Sequence, residues 1–148
     1  PAGRVHAIGA GNLLAEIQES SDITYRIYDY GRRDAMGNTR QLHTDLAKDA
    51  IDYTYHSDYK SQPADPHVAD AVLAECDYFK VDRLLLNGEM KLVNSDASFT
   101  ALMCLDGDVS LEYEGDSMLI KGGETVLLPA ALTTVTLRGK GTLLTARS

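Results

Sequence analysis

From residue 76 onward, short apolar runs of β-type recur at roughly eight- to twelve-residue intervals: 78–86, 89–94, 98–105, 108–113, 116–121, 124–128, 132–137 and 141–146. Turn-forming pairs separate several of them, namely Asn87-Gly88, Asp106-Gly107, Glu114-Gly115 and Gly122-Gly123. A chain punctuated this way can bury its apolar side chains only by pairing neighbouring runs antiparallel and folding the sheet over on itself, as a sandwich or barrel. About eight runs in some seventy residues suit a small jelly roll.

The first third reads differently. Pro1-Ala2-Gly3-Arg4-Val5-His6 has the form P-x-G-x-x-H, a turn that throws one histidine onto a strand, and it is the second half of a metal-binding motif. At an offset of 128 residues, Pro129-Ala130 lies under Pro1-Ala2, and Thr134 stands where His6 would fall. The later copy is preceded by about fifty residues of strand-like sequence and the earlier one by none. The expectation is a C-terminal part of a longer protein, holding the end of one β-barrel and all of a second. Val5–Ile8, Leu13–Gln18 and Thr24–Tyr30 read as β, the last with Thr24, Arg26 and Tyr28 on one face by period-two alternation. Leu42, Leu46 and Ala50 recur at helical spacing and predict a short helix over 41–51. Asp65-Pro66 predicts one or two helical turns over 66–74. The expected domains are therefore 1–52, a connector over 53–75, and 76–148.

Composition narrows the function classes. A formal net charge of −8 argues against nucleic acid, which demands clustered Lys and Arg. No run approaches the ~18 apolar residues of a membrane span. Cys76 and Cys104 sit in apolar contexts and read as reduced core thiols, which points to the cytoplasm. No phosphate-binding glycine loop, G-x-S-x-G elbow or C-x-x-C occurs.

Four residues carry the candidate chemistry. His6 is a possible metal ligand, since imidazole suits zinc, or a histidine satisfied by a backbone carbonyl. Glu16 shares a strand face with Gln18 and reads either as pocket carboxylate or as wet strand face. Arg26, in a run otherwise made of Thr, Tyr and Ile, is either a solvated edge residue or a fixed cation aimed at an oxyanion or phosphate. Ser21-Asp22 reads as a turn in residues alone. His43, His56 and His67 have no partner at ligand spacing.

The stretches Pro1–Gly9, Leu14–Gln18, Ser21-Asp22, Thr24–Arg26, Tyr28–Tyr30, Asp34, Gly37, Arg40 and Leu42-His43 closely resemble class I mannose-6-phosphate isomerase in its short bacterial form. The likeness is strong over residues 1–52, and 76–148 resemble that family's C-terminal cupin. The resemblance implies a mainly β, two-cupin zinc enzyme that interconverts mannose 6-phosphate and fructose 6-phosphate through a metal-stabilised enediol. His6 resembles one of its zinc ligands, the others falling outside this chain; Arg26 resembles its catalytic arginine; Glu16 and Asp22 resemble pocket carboxylates. Ala131 and Thr134 replace the Gly and His of the metal motif in the second barrel, and residues 76–148 contain no histidine, so this barrel is expected to be non-catalytic. Unpaired strand edges predict self-association. The competing expectation is a non-enzymatic sugar-binding or assembly cupin.

The isolated 148-residue chain is therefore predicted to show no isomerase activity and no stoichiometric zinc. A coupled assay together with metal analysis after desalting checks this; turnover by the chain alone would contradict it.

Overall fold

A computed structural model describes residues 2–20, 23–94 and 98–148. The chain divides into two compact units, one formed by Pro1–Leu14 and Ser20–Lys60, the other by Ala15–Glu19 and Ser61–Ser148.

The second unit is a single antiparallel sheet of six strands: β1 (Asp70–Glu75), β2 (Lys80–Val93), β3 (Thr100–Tyr113), β4 (Asp116–Lys121), β5 (Thr125–Leu128) and β6 (Thr134–Arg147). Their order is β1-β2-β6-β3-β4, with β5 on the same edge of β3 as β4 but pairing its first half. The eight runs expected from the sequence thus become five strands, β2–β6, and β1 precedes them. Glu114-Gly115 and Gly122-Gly123 are turns as read, and Glu114 (φ 50°) and Gly115 (φ 92°) give the left-handed pair that a two-residue hairpin needs. Asn87-Gly88 and Asp106-Gly107 are not turns. They lie inside 14-residue strands, as does Gly139.

These interior glycines face one another. Gly88 pairs with Gly139, and Gly107 pairs with Gly141. A β-carbon at Gly139 would stand 2.4 Å from the Asp108 carbonyl oxygen; at Gly107 it would stand 2.1 Å from that of Lys140, and at Gly141 2.4 Å from that of Asp106. Close approach of the β6 and β3 backbones at this level of the sheet requires bare α-carbons at Gly107, Gly139 and Gly141, a usual meaning of glycine within strands. The long strands β2, β3 and β6 pass through this level, and both of their halves contribute to one core: Leu84 and Leu86 with Leu92, Leu102 and Cys104 with Val109 and Leu111, Val135 and Leu137 with Leu143.

A β-bulge keeps β3 in phase with that core. Up to Cys104 its even-numbered residues are buried, and from Val109 its odd-numbered ones are. The register slips by one residue between Cys104 and Asp106, leaving Leu105 exposed. Without the extra residue the second half of β3 would turn Val109 and Leu111 outward. At the far end, buried Asn94 donates from Nδ2 to the Pro129 carbonyl (2.9 Å) and accepts from the Thr100 hydroxyl (2.6 Å).

Of the helical turns expected over 66–74, one turn forms at Asp65–Val68, and from Asp70 the chain becomes β1, because Asp70–Glu75 finds a partner in β2. The first unit holds one helix, α1 (Thr44–Ala50), inside the span expected for it. The strands expected over 5–8, 13–18 and 24–30 are absent among the described residues, where the only pairing before β1 is an isolated bridge between Arg33 and Thr39. Strand character alone makes no ladder: none of the described residues in those runs is assigned to a strand, and Val5, Ile8, Leu13 and Ile27 stay exposed.

Gly139→Ala is expected to lower the unfolding free energy by about 2–3 kcal/mol, since it adds a steric overlap to left-handed strain, whereas Gly88→Ala, with open space around it, costs about 1 kcal/mol. Urea denaturation of both variants checks this; equal costs would contradict it.

Candidate functional site

Glu16 falls in Ala15–Glu19, which groups with the sheet, whereas His6 and Arg26 belong to the first unit. Asp22 lies outside the described residues.

His6 is exposed, and its Nδ1 lies 3.2 Å from the Arg4 carbonyl oxygen. With the proton on Nδ1 donated to that carbonyl, Nε2 is left as the free coordinating atom, the tautomer that metal-bound histidines commonly adopt. Yet among the described residues no three His, Cys, Asp or Glu side chains gather. The described residues do not by themselves fit the zinc that the resemblance implies, because a stable site takes three or four ligands.

Arg26 is more firmly built in. Its Nη1 donates to the Gln41 carbonyl (3.4 Å), its backbone N–H donates to the Nδ1 of His43 (3.2 Å), and its carbonyl accepts the His43 backbone N–H (2.7 Å). The Tyr25 ring stands 6.4 Å from the His43 ring. Arg26 is half-buried. The segment Gln41–His43 thus runs beside Arg26 as a short two-way hydrogen-bonded clasp, just before α1.

The clasp continues into a second tie. Asp29 is 8% exposed and takes a two-pronged ion pair from Arg40, with Nε to Oδ2 at 2.8 Å and Nη2 on Oδ1. The hydrogen bond from Arg40 holds the Asp29 carboxyl below the ordinary carboxylate range, against the opposing effect of burial; the positive charges of Arg40, Arg32 and Arg26 add to it. Between the ends of this tie, Asp34 caps its own turn. Its Oδ1 accepts the N–H groups of Met36 and Asn38, both at 2.9 Å, which lowers its pKa too, the Asn38 amide contributing most. Tyr30 adopts φ 55°, with Arg32 over its ring at 5.5 Å. Residues 26–43 therefore form a loop tied at Asp29–Arg40 and at Arg26–His43. Sequence reading singled out Arg26 but missed the Asp29–Arg40 tie and the His43 acceptor, because partners 11 and 17 residues apart leave no periodic signal.

Elsewhere in this unit a cleft of about 590 Å³ is lined by Arg4, Val5, Ile51, Asp52, His56 and Tyr59 among others. Neither His6 nor Arg26 lines it.

An antiparallel sheet folded over a single apolar core, with long central strands that pair through glycines, is the architecture of a cupin. Residues 70–148 match the family model described as mannose-6-phosphate isomerase, cupin domain. The mannose-6-phosphate isomerase ManA of Bacillus subtilis (strain 168) is 36% identical over 135 residues, covering 83% of this chain and 42% of that protein. Mannose-6-phosphate isomerase of Streptococcus mutans is 30% identical over 132 residues, covering 87% of this chain and 41% of its own length. Among solved structures, mannose 6-phosphate isomerase from Bacillus subtilis superposes with a TM-score of 0.71 at 30% identity, over 85% of this chain and 40% of that one. The chain belongs to the mannose-6-phosphate isomerase family. It spans less than half the length of these relatives.

The lowered pKa of Asp29 means that its tie to Arg40 stabilises the fold fully above the unfolded carboxyl pKa of about 3.9 and is lost as pH falls through the lower, folded value. The melting temperature of the parent chain is expected to exceed that of Asp29→Asn most clearly above about pH 5, with the gap shrinking below about pH 4. A gap that widens toward acid would contradict the assignment.

Proposed function

We propose that the protein of which these residues are part is an aldose–ketose isomerase acting on mannose 6-phosphate and fructose 6-phosphate, with Arg26 as a fixed cation facing the reacting sugar. The single observation that carries this reading is the clasp on Arg26. Its backbone is held at both N–H and C=O, and its guanidinium is tethered through one nitrogen, which leaves other N–H donors free. A cation fixed in this way stabilises charge as it develops without reorganising first, which is how preorganised donors lower a barrier.

The chemistry asks for such a group. Moving a carbonyl between C1 and C2 of an open-chain sugar takes a proton from one carbon and returns it to the other, through an enediol whose oxygen carries negative charge. Arg26 meets that charge. Glu16 and Asp22 are proposed to hold sugar hydroxyls or assist the proton transfer; the base is not assigned to either. His6 is proposed as one ligand to zinc through Nε2. The cupin sheet is proposed as the non-catalytic support, and the location as cytoplasmic, which the two free thiols favour.

In the full-length protein carrying these residues, Arg26→Ala is expected to lower kcat by about 10²–10³-fold with the far-UV dichroism and melting temperature retained. Lysine at this position should restore little, since a point charge does not reproduce the fork of donors. An unchanged kcat would overturn the role of Arg26. Sugar-phosphate binding with no turnover in either form would favour the sugar-binding cupin instead.

A further inference from the structure

His43 stands at the cap position of α1, yet its side chain makes no bond to the helix. Instead its Nδ1 is turned 17 residues back in sequence, to accept the backbone N–H of Arg26 at 3.2 Å. Its own N–H donates to the Arg26 carbonyl at 2.7 Å. One residue therefore satisfies both backbone groups of the arginine. A backbone-to-backbone bond alone would have left the Arg26 N–H without this partner and free to turn.

We propose that His43 is a positioning residue for Arg26: neutral, with its proton on Nε2, it uses Nδ1 as an acceptor to fix the backbone from which the guanidinium projects. This rests on the proposed role of Arg26 in the isomerase, and it extends that role to a residue that touches no substrate.

Chemistry dictates the tautomer. A backbone N–H can only donate, so the Nδ1 facing it must carry a lone pair, and the ring proton sits on Nε2. The His43 ring is half-buried beside Tyr25, so water competes poorly for Nδ1. The guanidinium is tethered separately, to the Gln41 carbonyl two residues before His43, so the same short segment sets both the backbone and the side chain of Arg26. Displacement of the backbone at Arg26 would carry its guanidinium away from the reacting atoms, and misplacement of about 1 Å can cost about a hundredfold in rate.

The proposal distinguishes an acceptor from a space-filling ring. Asparagine places its Oδ1 near the position of Nδ1 and can accept the same N–H; phenylalanine keeps the ring volume and accepts nothing. The test measures amide hydrogen exchange at Arg26, together with the ring-nitrogen resonances of His43, in the ¹⁵N-labelled chain. The expected result is an imine-type Nδ1 and a protonated Nε2. His43→Phe should speed Arg26 exchange by about three- to tenfold, and His43→Asn should bring it back to within about twofold of the parent. A protonated Nδ1, or equal exchange in the Phe and Asn variants, would overturn the proposal. The amides of β2, β3 and β6 serve as the folding control in each variant.

In the full-length enzyme, kcat should fall in His43→Phe and recover in His43→Asn, with KM moving less than kcat. If Arg26→Ala leaves kcat unaltered while the exchange pattern holds, the isomerase role of Arg26 fails and the clasp stands. If Arg26→Ala abolishes turnover but kcat is the same in the Phe and Asn variants, the positioning role fails and the isomerase reading stands.

Discussion

The folded sheet depends on one steric constraint, the close passage of the β6 and β3 backbones at Gly107, Gly139 and Gly141. Gly139 and Gly141 on the central strand face Gly88 on one side and Gly107 on the other. Because no side chain intervenes, three 14-residue strands can run through this level without breaking, and both of their halves reach one core. The bulge at Cys104–Asp106 is the compensating device. It restores inward phase to β3 beyond the bend, so that Val109 and Leu111 are buried rather than Ser110 and Glu112. Leu102, Ile120, Leu128, Leu137 and Leu143 then close the interior, each fully buried. At about 1.5–3 kcal/mol per buried aliphatic side chain, this cluster is the main source of stability in the unit.

The first unit is organised by a different physics. It has one seven-residue helix, and most of its large apolar side chains remain exposed. What order it has comes from paired charges and from side chains that bond backbone groups: Asp29 with Arg40, Asp34 with its own turn, and His43 with Arg26. These contacts concentrate in residues 26–43. They hold positive charge in a chain whose formal net charge is −8, so that loop is locally of opposite sign to the whole. The anionic sugar phosphate proposed as substrate matches the sign of that loop. The division of labour proposed for the protein follows: a folded sheet that supports, and a charge-tied loop that meets the substrate.

Much of the cupin was legible in the sequence because its signals are local. The cadence of β-type runs, the Glu114-Gly115 hairpin and the Gly122-Gly123 turn are all set by residues within a few positions of one another. Asn87-Gly88 and Asp106-Gly107 misled because a glycine in a turn and one inside a long strand look identical in one dimension; only pairing with Gly139 and Gly141 tells them apart. The stretch 66–74 misled similarly, since Asp65-Pro66 is a fair helix start but pairing with β2 outweighs it. In the candidate site, Arg26 was visible as a charge out of place among Thr, Tyr and Ile. The groups that hold it were not, because Gln41 and His43 act through a carbonyl oxygen and one ring nitrogen, neither of which has a pattern in sequence.

The most direct test of this account is residue-resolved hydrogen exchange across the whole chain under mild denaturant. The close glycine passage and the core it allows should make amides of β2, β3 and β6 exchange together, only through full unfolding of the sheet, while those of residues 23–60 open at lower free energy. A single shared opening free energy for both sets, or early opening of the strands at that passage, would contradict it.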